Sequence, residues 1–279
     1  MSKSPHIMLN GKFLSYDALF IGANSEILNT GIFIKLEMRG CSGKMFFFDK
    51  YYNLLLKTFD FLYIPYSLEL SKEIIESDIF SLLQKNRIYQ GAEVQLIIYP
   101  EKEDKLNVLI TGKASQSGFQ INTKGVELIV DSDIKIVNQH LNQYPIPALH
   151  SNTNMFKKSH ELTNDLTLYV NDLGDINTYD SEIFFVNDKT ILTPSLNHVS
   201  KFSIYRDIII NLALKSGFRV FDDCSIKPND LLEMDEIFSF KVDTGFTWVS
   251  AYKERRYFNK TSALLNERLN VFATKSITS

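Results

Sequence analysis

The side chains best suited to covalent or acid–base chemistry lie in one segment of the sequence, PIPALHSNTNMFKKSH. His150 follows a turn with two prolines, and a lone histidine in such a place is usually a hydrogen-bonded structural residue. Lys157 and Lys158 carry primary amines, the group that forms an imine with a carbonyl compound. They are adjacent on the polar side of a short predicted helix, without the apolar surroundings that would lower the pKa of an amine. Both lysines are therefore candidates for catalysis that the local sequence does not favour.

A second group of polar residues belongs to a predicted helix at 203–215, the best bounded helix in the sequence. Ser203 is a good N-cap residue, and Gly217 suits the left-handed position that often follows a helix end. Arg206 and Asp207 lie in the first turn of this helix, where a plain surface ion pair is the more common arrangement. Arg206 remains a candidate for lining a pocket.

The composition is that of a globular protein without a large excess of either charge. The 279 residues are 44% hydrophobic and 13% aromatic, enough for the cores of two domains, and the formal net charge is −3. Mixed charges of this kind do not attract nucleic acid or an anionic membrane, and no apolar run approaches the ~20 residues of a membrane helix. The two cysteines, Cys41 and Cys224, match no metal-site spacing. We expect a reduced, cytoplasmic protein without a metal.

Residues 1–113 are predicted to form an α+β domain, because short apolar runs alternate there with two helical segments. The first helix begins at Asp49, a good N-cap residue, and the second spans 71–86. Spacings of three and four give the first helix one apolar face, which consists of Tyr51, Leu54, Leu55, Phe59 and Leu62.

The stretch 114–124 is polar and has no period, which is typical of a linker. Residues 125–279 are then predicted to form an α/β domain with helices at about 155–164, 203–215 and 260–272. Its strand-like runs are GVELIVD, LTLYV, EIFFV, KTILT, EIFSFK and GFTWVSAY.

Several of these stretches, in this order and at this spacing, resemble one known family. They are MFFFDKYYNLLLKTF, EIFFVNDKTILTP, YRDIIINLALKSGFRVFDD and LLEMDEIFSFKVDTGFTWV. The chain resembles the class IV aminotransferases, the fold type IV pyridoxal-phosphate enzymes that include branched-chain and D-amino-acid aminotransferases and aminodeoxychorismate lyases. The resemblance implies their two-domain architecture of α+β and α/β parts. It also implies a homodimer, for which the aromatic segment 59–70 is a reasonable contact.

The residues that do the family's chemistry are mostly different in this chain. The resemblance places the lysine that holds the cofactor as an imine on His150, and an imidazole cannot form that imine. It places the arginine that binds the cofactor's phosphate on Leu54, and the histidine three residues earlier on Tyr51. An arginine contributes roughly 1.5–3 kcal/mol through charge-assisted hydrogen bonds, and a leucine contributes none of this.

Other positions of the implied cofactor site differ as well. The glycine and threonine that cradle the phosphate at the start of the middle helix correspond to Ser203 and Tyr205, and the second cradle corresponds to Lys241 and Val242. Thr247 matches a family threonine, although a β-branched strand residue explains it equally. The glutamate that pairs with the cofactor's ring nitrogen corresponds to Asn177, and a loop arginine of the family to Asn24.

Three functions follow. The favoured one is a family member that has lost its pyridoxal-phosphate site and is retained as a binding or structural protein, not an enzyme; its pocket residues would suit a small organic acid. They are His150, Asn177, Ser203, Tyr205, Arg206, Lys241 and Thr247. The alternative is an active pyridoxal-phosphate aminotransferase or lyase with a relocated lysine, Lys157 or Lys158. In the third, the resemblance is accidental and the chain is an unrelated two-domain α/β protein.

Overall fold

The computed structural model describes residues 6–19, 21–22, 25–65, 68–101, 105–136, 144–147, 166–171, 173–178, 181–195 and 203–278. The chain divides into two compact units. Unit 1 comprises Met1–Gly118, Pro145–Ala148 and Ala273–Ser279, and unit 2 comprises Phe119–Tyr144 and Leu149–Phe272. The domain limits inferred from the sequence stay a prediction. Within the predicted linker 114–124, the first two residues end a strand and Phe119 is buried.

Among the described residues, unit 1 contains a six-stranded antiparallel sheet in the order β2-β1-β6-β5-β3-β4. The strands are β1 (His6–Leu9), β2 (Lys12–Ser15), β3 (Ile34–Cys41), β4 (Lys44–Met45), β5 (Gly91–Pro100) and β6 (Leu106–Ser115). The side chains of Ile34, Leu36 and Met38 alternate toward one buried face of β3. They lie opposite Ile98, Leu96 and Val94 of β5, so the apolar pattern sets the register of this pair.

Three helices belong to the described part of unit 1: α1 (Glu26–Thr30), α2 (Phe48–Leu62) and α3 (Lys72–Lys85). The prediction that α2 begins after an Asp49 N-cap is wrong. Phe47 precedes the helix in a left-handed conformation with φ 56°. Its backbone N–H donates a hydrogen bond to the Oγ of Ser276 at 3.1 Å. Asp49 instead lies in the first turn, where its carboxylate complements the helix dipole and pairs with Lys72.

Helix α3 matches its predicted limits, since Ser71 and Asn86 flank it. It packs on β1 and β6. The side-chain amide of Asn86 accepts the N–H of His6 at 2.7 Å and donates to the carbonyl oxygen of His6 at 2.8 Å. This pair of hydrogen bonds joins the end of the helix to the start of β1.

Nine strands of unit 2 are described. They are β7 (Val126–Ile136), β8 (Leu166–Asn171), β9 (Ile176–Asn177), β10 (Glu182–Asn187), β11 (Thr190–Pro194), β12 (Arg219–Cys224), β13 (Glu236–Lys241), β14 (Gly245–Tyr252) and β15 (Arg255–Arg256). The sheet order is β12-β11-β10-β13-β14-β7-β8-β9, with β15 paired to β14. The pairs β11/β12, β14/β7 and β7/β8 are parallel, and the others are antiparallel. All six predicted strand-like runs of this part of the chain are confirmed as strands.

Two described helices begin in unit 2, α4 (Ile204–Lys215) and α5 (Lys260–Thr278). Gly217 follows α4 with φ 87°, which confirms its predicted left-handed position. Helix α5 extends six residues beyond the predicted end at 272. The predicted helix at 155–164 lies outside the described residues.

Strand β10 is buried on both faces. Ile183 and Phe185 belong to a hydrophobic core cluster that includes Leu168 and Ile237. On the opposite face, Phe184 stacks on Phe238 of β13 with ring centroids 5.1 Å apart. Because a strand covered on both faces buries successive side chains, its sequence is a continuous apolar run, and this explains the sequence EIFFV. No helix in the described ranges has the length and apolarity needed to cross a membrane.

The strand pair β13/β14 depends on Gly245, which has φ 79°. A Cβ atom at this position would collide with the backbone carbonyl oxygen of Gln120. We expect Gly245→Ala to lower the free energy of unfolding by about 2–5 kcal/mol, from left-handed strain and a clash that the backbone must absorb. Gly217→Ala is the control, since its φ is also positive but nothing lies within 4 Å. It should cost only about 1–2 kcal/mol in the same urea titration, and equal losses would contradict the clash.

Candidate functional site

Hydrogen bonds within the chain close the N-terminus of helix α4. The Oγ of Ser203 accepts the N–H of Tyr205 at 3.1 Å, which confirms the predicted N-cap. The backbone N–H of Arg206 donates a hydrogen bond to the carbonyl oxygen of Ser203 at 3.2 Å. Free N–H groups are what make a helix start attractive to anions. Because two of these donors are already engaged, less of this helix start is open to a bound anion.

The ring of Tyr205 belongs to an aromatic cluster in the interior of unit 2. Tyr205 is fully buried, and its ring centroid lies 5.2 Å from that of Phe119 and 5.0 Å from that of Phe240. Phe240 also contacts Phe246 at 5.0 Å between centroids. A threonine could not make these ring contacts. The large side chain at this position is therefore explained by packing.

Arg206 is buried, so its predicted surface pairing with Asp207 is wrong. The Nη1 atom donates to the Oγ1 of Thr193 at 2.7 Å. The Nη2 atom donates to the carbonyl oxygens of Pro194 at 2.5 Å and Asp222 at 2.9 Å. The guanidinium thus connects helix α4 to strands β11 and β12 beneath it, while Asp207 points to solvent. The helical spacing alone could not reveal which strand ends would approach Arg206.

Glu182 is the charged residue of this region that sequence reasoning missed. It is the first residue of β10, is 2% exposed, and its Oε2 lies 3.6 Å from the Nη1 of Arg206. Burial raises the pKa of Glu182 to about 7, although the Arg206 guanidinium and the backbone N–H of Ser203 act to lower it and Asp207 adds to the rise. The available signal was a carboxylate at the edge of an otherwise apolar run, EIFFV.

The other candidates of unit 2 lie on strands. Lys241 ends β13 and is half-buried, directly after the Phe240 that packs on Tyr205. Thr247 lies within β14 opposite Ser239, so its interpretation as a strand residue is confirmed. Asn177 is 1% exposed on the edge strand β9, far from β13 in strand order, and its Oδ1 accepts the N–H of Thr178 at 2.8 Å.

Unit 1 holds the two candidate positions of helix α2. Leu54 is half-buried and apolar, and the buried face of this helix consists of Phe48, Tyr51, Leu55, Thr58 and Phe59. The hydroxyl of Tyr51 donates a hydrogen bond to the carbonyl oxygen of Glu37 at 2.7 Å, and this bond attaches the helix to β3. Neither side chain supplies a cation.

Four candidates, Asn24, His150, Lys157 and Lys158, lie outside the described residues. Within unit 2 the structure brings Ser203, Tyr205 and Arg206 to one helix start, with the end of β13 beside it. In the part of the chain that is described, no group of three or more His, Cys, Asp or Glu side chains is placed to hold a metal ion.

The raised pKa of Glu182 predicts a specific pH dependence of stability. The folded value of about 7 exceeds the ordinary value of 4.5, so the stabilisation from the neutral carboxyl is complete below pH 4.5 and is lost as the pH rises to about 7. Glu182→Gln removes this titration. We expect the difference in free energy of unfolding, wild type minus Glu182→Gln, to fall across this window by up to about 1.4 kcal/mol per pH unit.

Urea titrations from pH 4.5 to 8 measure this difference. The exposed Glu233 provides a control, and Glu233→Gln should give a difference that changes little across the same window. A flat difference for Glu182→Gln would show that the buried carboxyl keeps an ordinary pKa.

The fold of the chain is similar to that of solved branched-chain aminotransferases. Against the enzyme from Thermoproteus uzoniensis in complex with norvaline, the TM-score is 0.80 at 17% identity, covering 98% of this chain and 96% of that one. The Escherichia coli enzyme has the same TM-score of 0.80 and identity of 17%, with the same coverage of 98% of this chain and 96% of that one. For the Thermobaculum terrenum enzyme in its PLP-bound holo form, the TM-score is 0.78 at 15% identity, and the match covers 99% of this chain and 97% of that one.

These likenesses show the mixed α and β fold, and the match to a family model over residues 36–252 excludes an accidental resemblance. No curated protein matches the sequence. The family model described as "Amino-transferase class IV" matches residues 36–252, more than three quarters of the chain. It spans strands of both units and all of helices α2, α3 and α4. On this match, the chain belongs to the class IV aminotransferase family.

Proposed function

We propose that this chain is a class IV aminotransferase fold that no longer uses pyridoxal phosphate and serves as a binding or structural protein. The observation that carries the proposal is the closed N-terminus of helix α4. Ser203 engages the N–H of Tyr205 there, and the Tyr205 ring packs against Phe119 and Phe240. The position where the family resemblance expects a glycine and a threonine around a phosphate is occupied by a cap and an aromatic side chain.

The position of the family's phosphate-binding arginine also supports the proposal. Leu54 stands where the resemblance expects an arginine, and it offers a dianion only apolar surface. Losing charge-assisted bonds of roughly 1.5–3 kcal/mol each corresponds to about tenfold to a hundredfold in affinity per bond. The residues in the described part of the chain therefore do not fit the phosphate group of this cofactor.

The ring nitrogen of the cofactor would also lack its usual partner. A carboxylate stabilises a protonated ring nitrogen by charge, whereas the amide of Asn177 can only form a neutral hydrogen bond. The Oδ1 atom of Asn177 already accepts the N–H of Thr178, so the amide nitrogen is the group left for a ligand. The electron withdrawal that the cofactor's chemistry needs would be weakened.

The second candidate function is an active pyridoxal-phosphate aminotransferase or lyase with a relocated lysine. Family membership favours it, as does the similarity to the Thermobaculum terrenum enzyme, which was solved in its PLP-bound form. In this chain Lys157 or Lys158 would have to replace the lysine expected at His150. Both lie on a polar segment of the sequence without an evident apolar setting.

The two functions differ in a spectroscopic measurement. Purified protein incubated with pyridoxal phosphate and then desalted should show no visible imine band and no new adduct by mass spectrometry after borohydride treatment. A retained band that borohydride removes would overturn the proposal. In that event the double variant Lys157→Arg, Lys158→Arg should abolish the adduct if the lysine is relocated, with Lys215→Arg, at an exposed residue, as the control.

We also propose a homodimer in which the segment 59–70 contributes to the contact. Tyr63 and Leu68 are 95% and 79% exposed, which is unusual for large apolar side chains so close in sequence. Burial of such residues against a second copy would remove this surface from water.

Light scattering is expected to give twice the chain mass of 32.1 kDa for the wild type. The combination Tyr63→Asn and Leu68→Glu should shift the mass toward the monomer, since Asn tolerates the left-handed backbone at 63 and Glu resists burial. Phe258→Glu, at a 69% exposed residue of unit 2, is the control and should leave the mass unchanged. A monomeric wild type would refute the dimer.

A further inference from the structure

The start of helix α4 lies beside a buried set of charged and polar groups, which we call the Glu182 cluster. It consists of the buried Glu182, Thr193 and Arg206 and the half-buried Ser203, all in unit 2. The Nη1 atom of Arg206 contacts both the Oγ1 of Thr193, at 2.7 Å, and the Oε2 of Glu182, at 3.6 Å. The cluster thus joins β10, β11 and the first turn of α4.

Positive potential converges on the Glu182 carboxyl. The Arg206 guanidinium faces it directly, and the backbone N–H of Ser203 approaches it from the helix start. The positive end of the helix dipole adds to both. Asp207 is the opposing charge on the same helix and is exposed to solvent. From β12 the cluster receives the backbone carbonyl oxygen of Asp222, which binds Arg206. A guanidinium beside a helix N-terminus is a favourable environment for an anion.

The carboxyl itself is poorly satisfied. Neither oxygen of Glu182 makes a hydrogen bond of ordinary geometry with the described residues, and the side chain is 98% buried, given its 2% exposure. A buried carboxylate without hydrogen bonds is unfavourable unless its charge is compensated. Here the long contact to Arg206 and the field of the helix start compensate the charge only in part, which is why the pKa of Glu182 is still raised to about 7. Glu182 therefore occupies the place of an anion without the close bonds of a bound phosphate.

We propose that the Glu182 cluster is an anion site filled by the chain's own carboxyl, so that the ligand of this protein carries no phosphate group at helix α4. The part that concerns the ligand rests on the proposed cofactor-free function. The buried Glu182 side chain already occupies the position beside Arg206, and in its ionised form it would repel a phosphate strongly in a medium of low dielectric constant. The expected ligand is a small molecule without a phosphate group, bound away from this helix start.

Chemical rescue tests the anion site. Glu182→Ala leaves a space beside Arg206 that formate can enter. We expect formate to raise the melting temperature of this variant by about 2–4 °C at several times its dissociation constant, while wild type and Glu182→Gln do not respond. Formamide, a neutral molecule of the same shape, should have no such effect on Glu182→Ala. Equal responses to formate and formamide, or no response to formate, would overturn the proposal.

Should Glu182→Ala fail to fold alone, refolding yield becomes the measurement. Formate should increase the yield and formamide should not, and equal yields would again contradict the anion site. A separate calorimetric comparison of pyridoxal phosphate with pyridoxal on the wild type tests the ligand class. Tighter binding of the phosphorylated compound would refute both the ligand class and the proposed function, and successful rescue by formate would still establish the anion site.

Discussion

The buried contact between Glu182 and Arg206 holds together the part of unit 2 on which any function at helix α4 depends. Arg206 reaches from the first turn of the helix to β11 and β12, and Glu182 meets it from the start of β10. Removing either partner would leave a buried polar group uncompensated, which is far more costly than losing a surface ion pair. The pair therefore constrains where the helix start can lie relative to three strands.

Family membership and the proposed loss of cofactor binding depend on different physical requirements. The apolar pattern of the strands and helices is enough to retain the class IV framework at 15–17% identity to several of its solved neighbours, because packing needs hydrophobic residues of suitable size and little more. Binding a phosphate needs particular cations and open N–H groups at particular positions. Under the function that we propose, Leu54, Tyr205 and the Ser203 cap meet the first requirement and not the second.

Aromatic packing explains part of this change. The Tyr205 ring joins Phe119, Phe240 and Phe246 in one contiguous set of ring contacts. Large rings bury more surface than a threonine, so they stabilise this region of unit 2. Under the function that we propose, the side chains at this helix start contribute to packing and not to cofactor binding.

The sequence by itself determined the elements whose signals are local. Short apolar runs identified the strands of unit 2, and the Ser203 cap with Gly217 set the limits of α4, because such signals act over a few residues. Only the tertiary structure decided the start of α2, where Ser276, over two hundred residues away, binds the N–H of Phe47. It likewise decided that Arg206 is buried and that Glu182 meets it. These contacts join residues distant in sequence, and their energies depend on burial and on neighbours that a linear pattern does not contain.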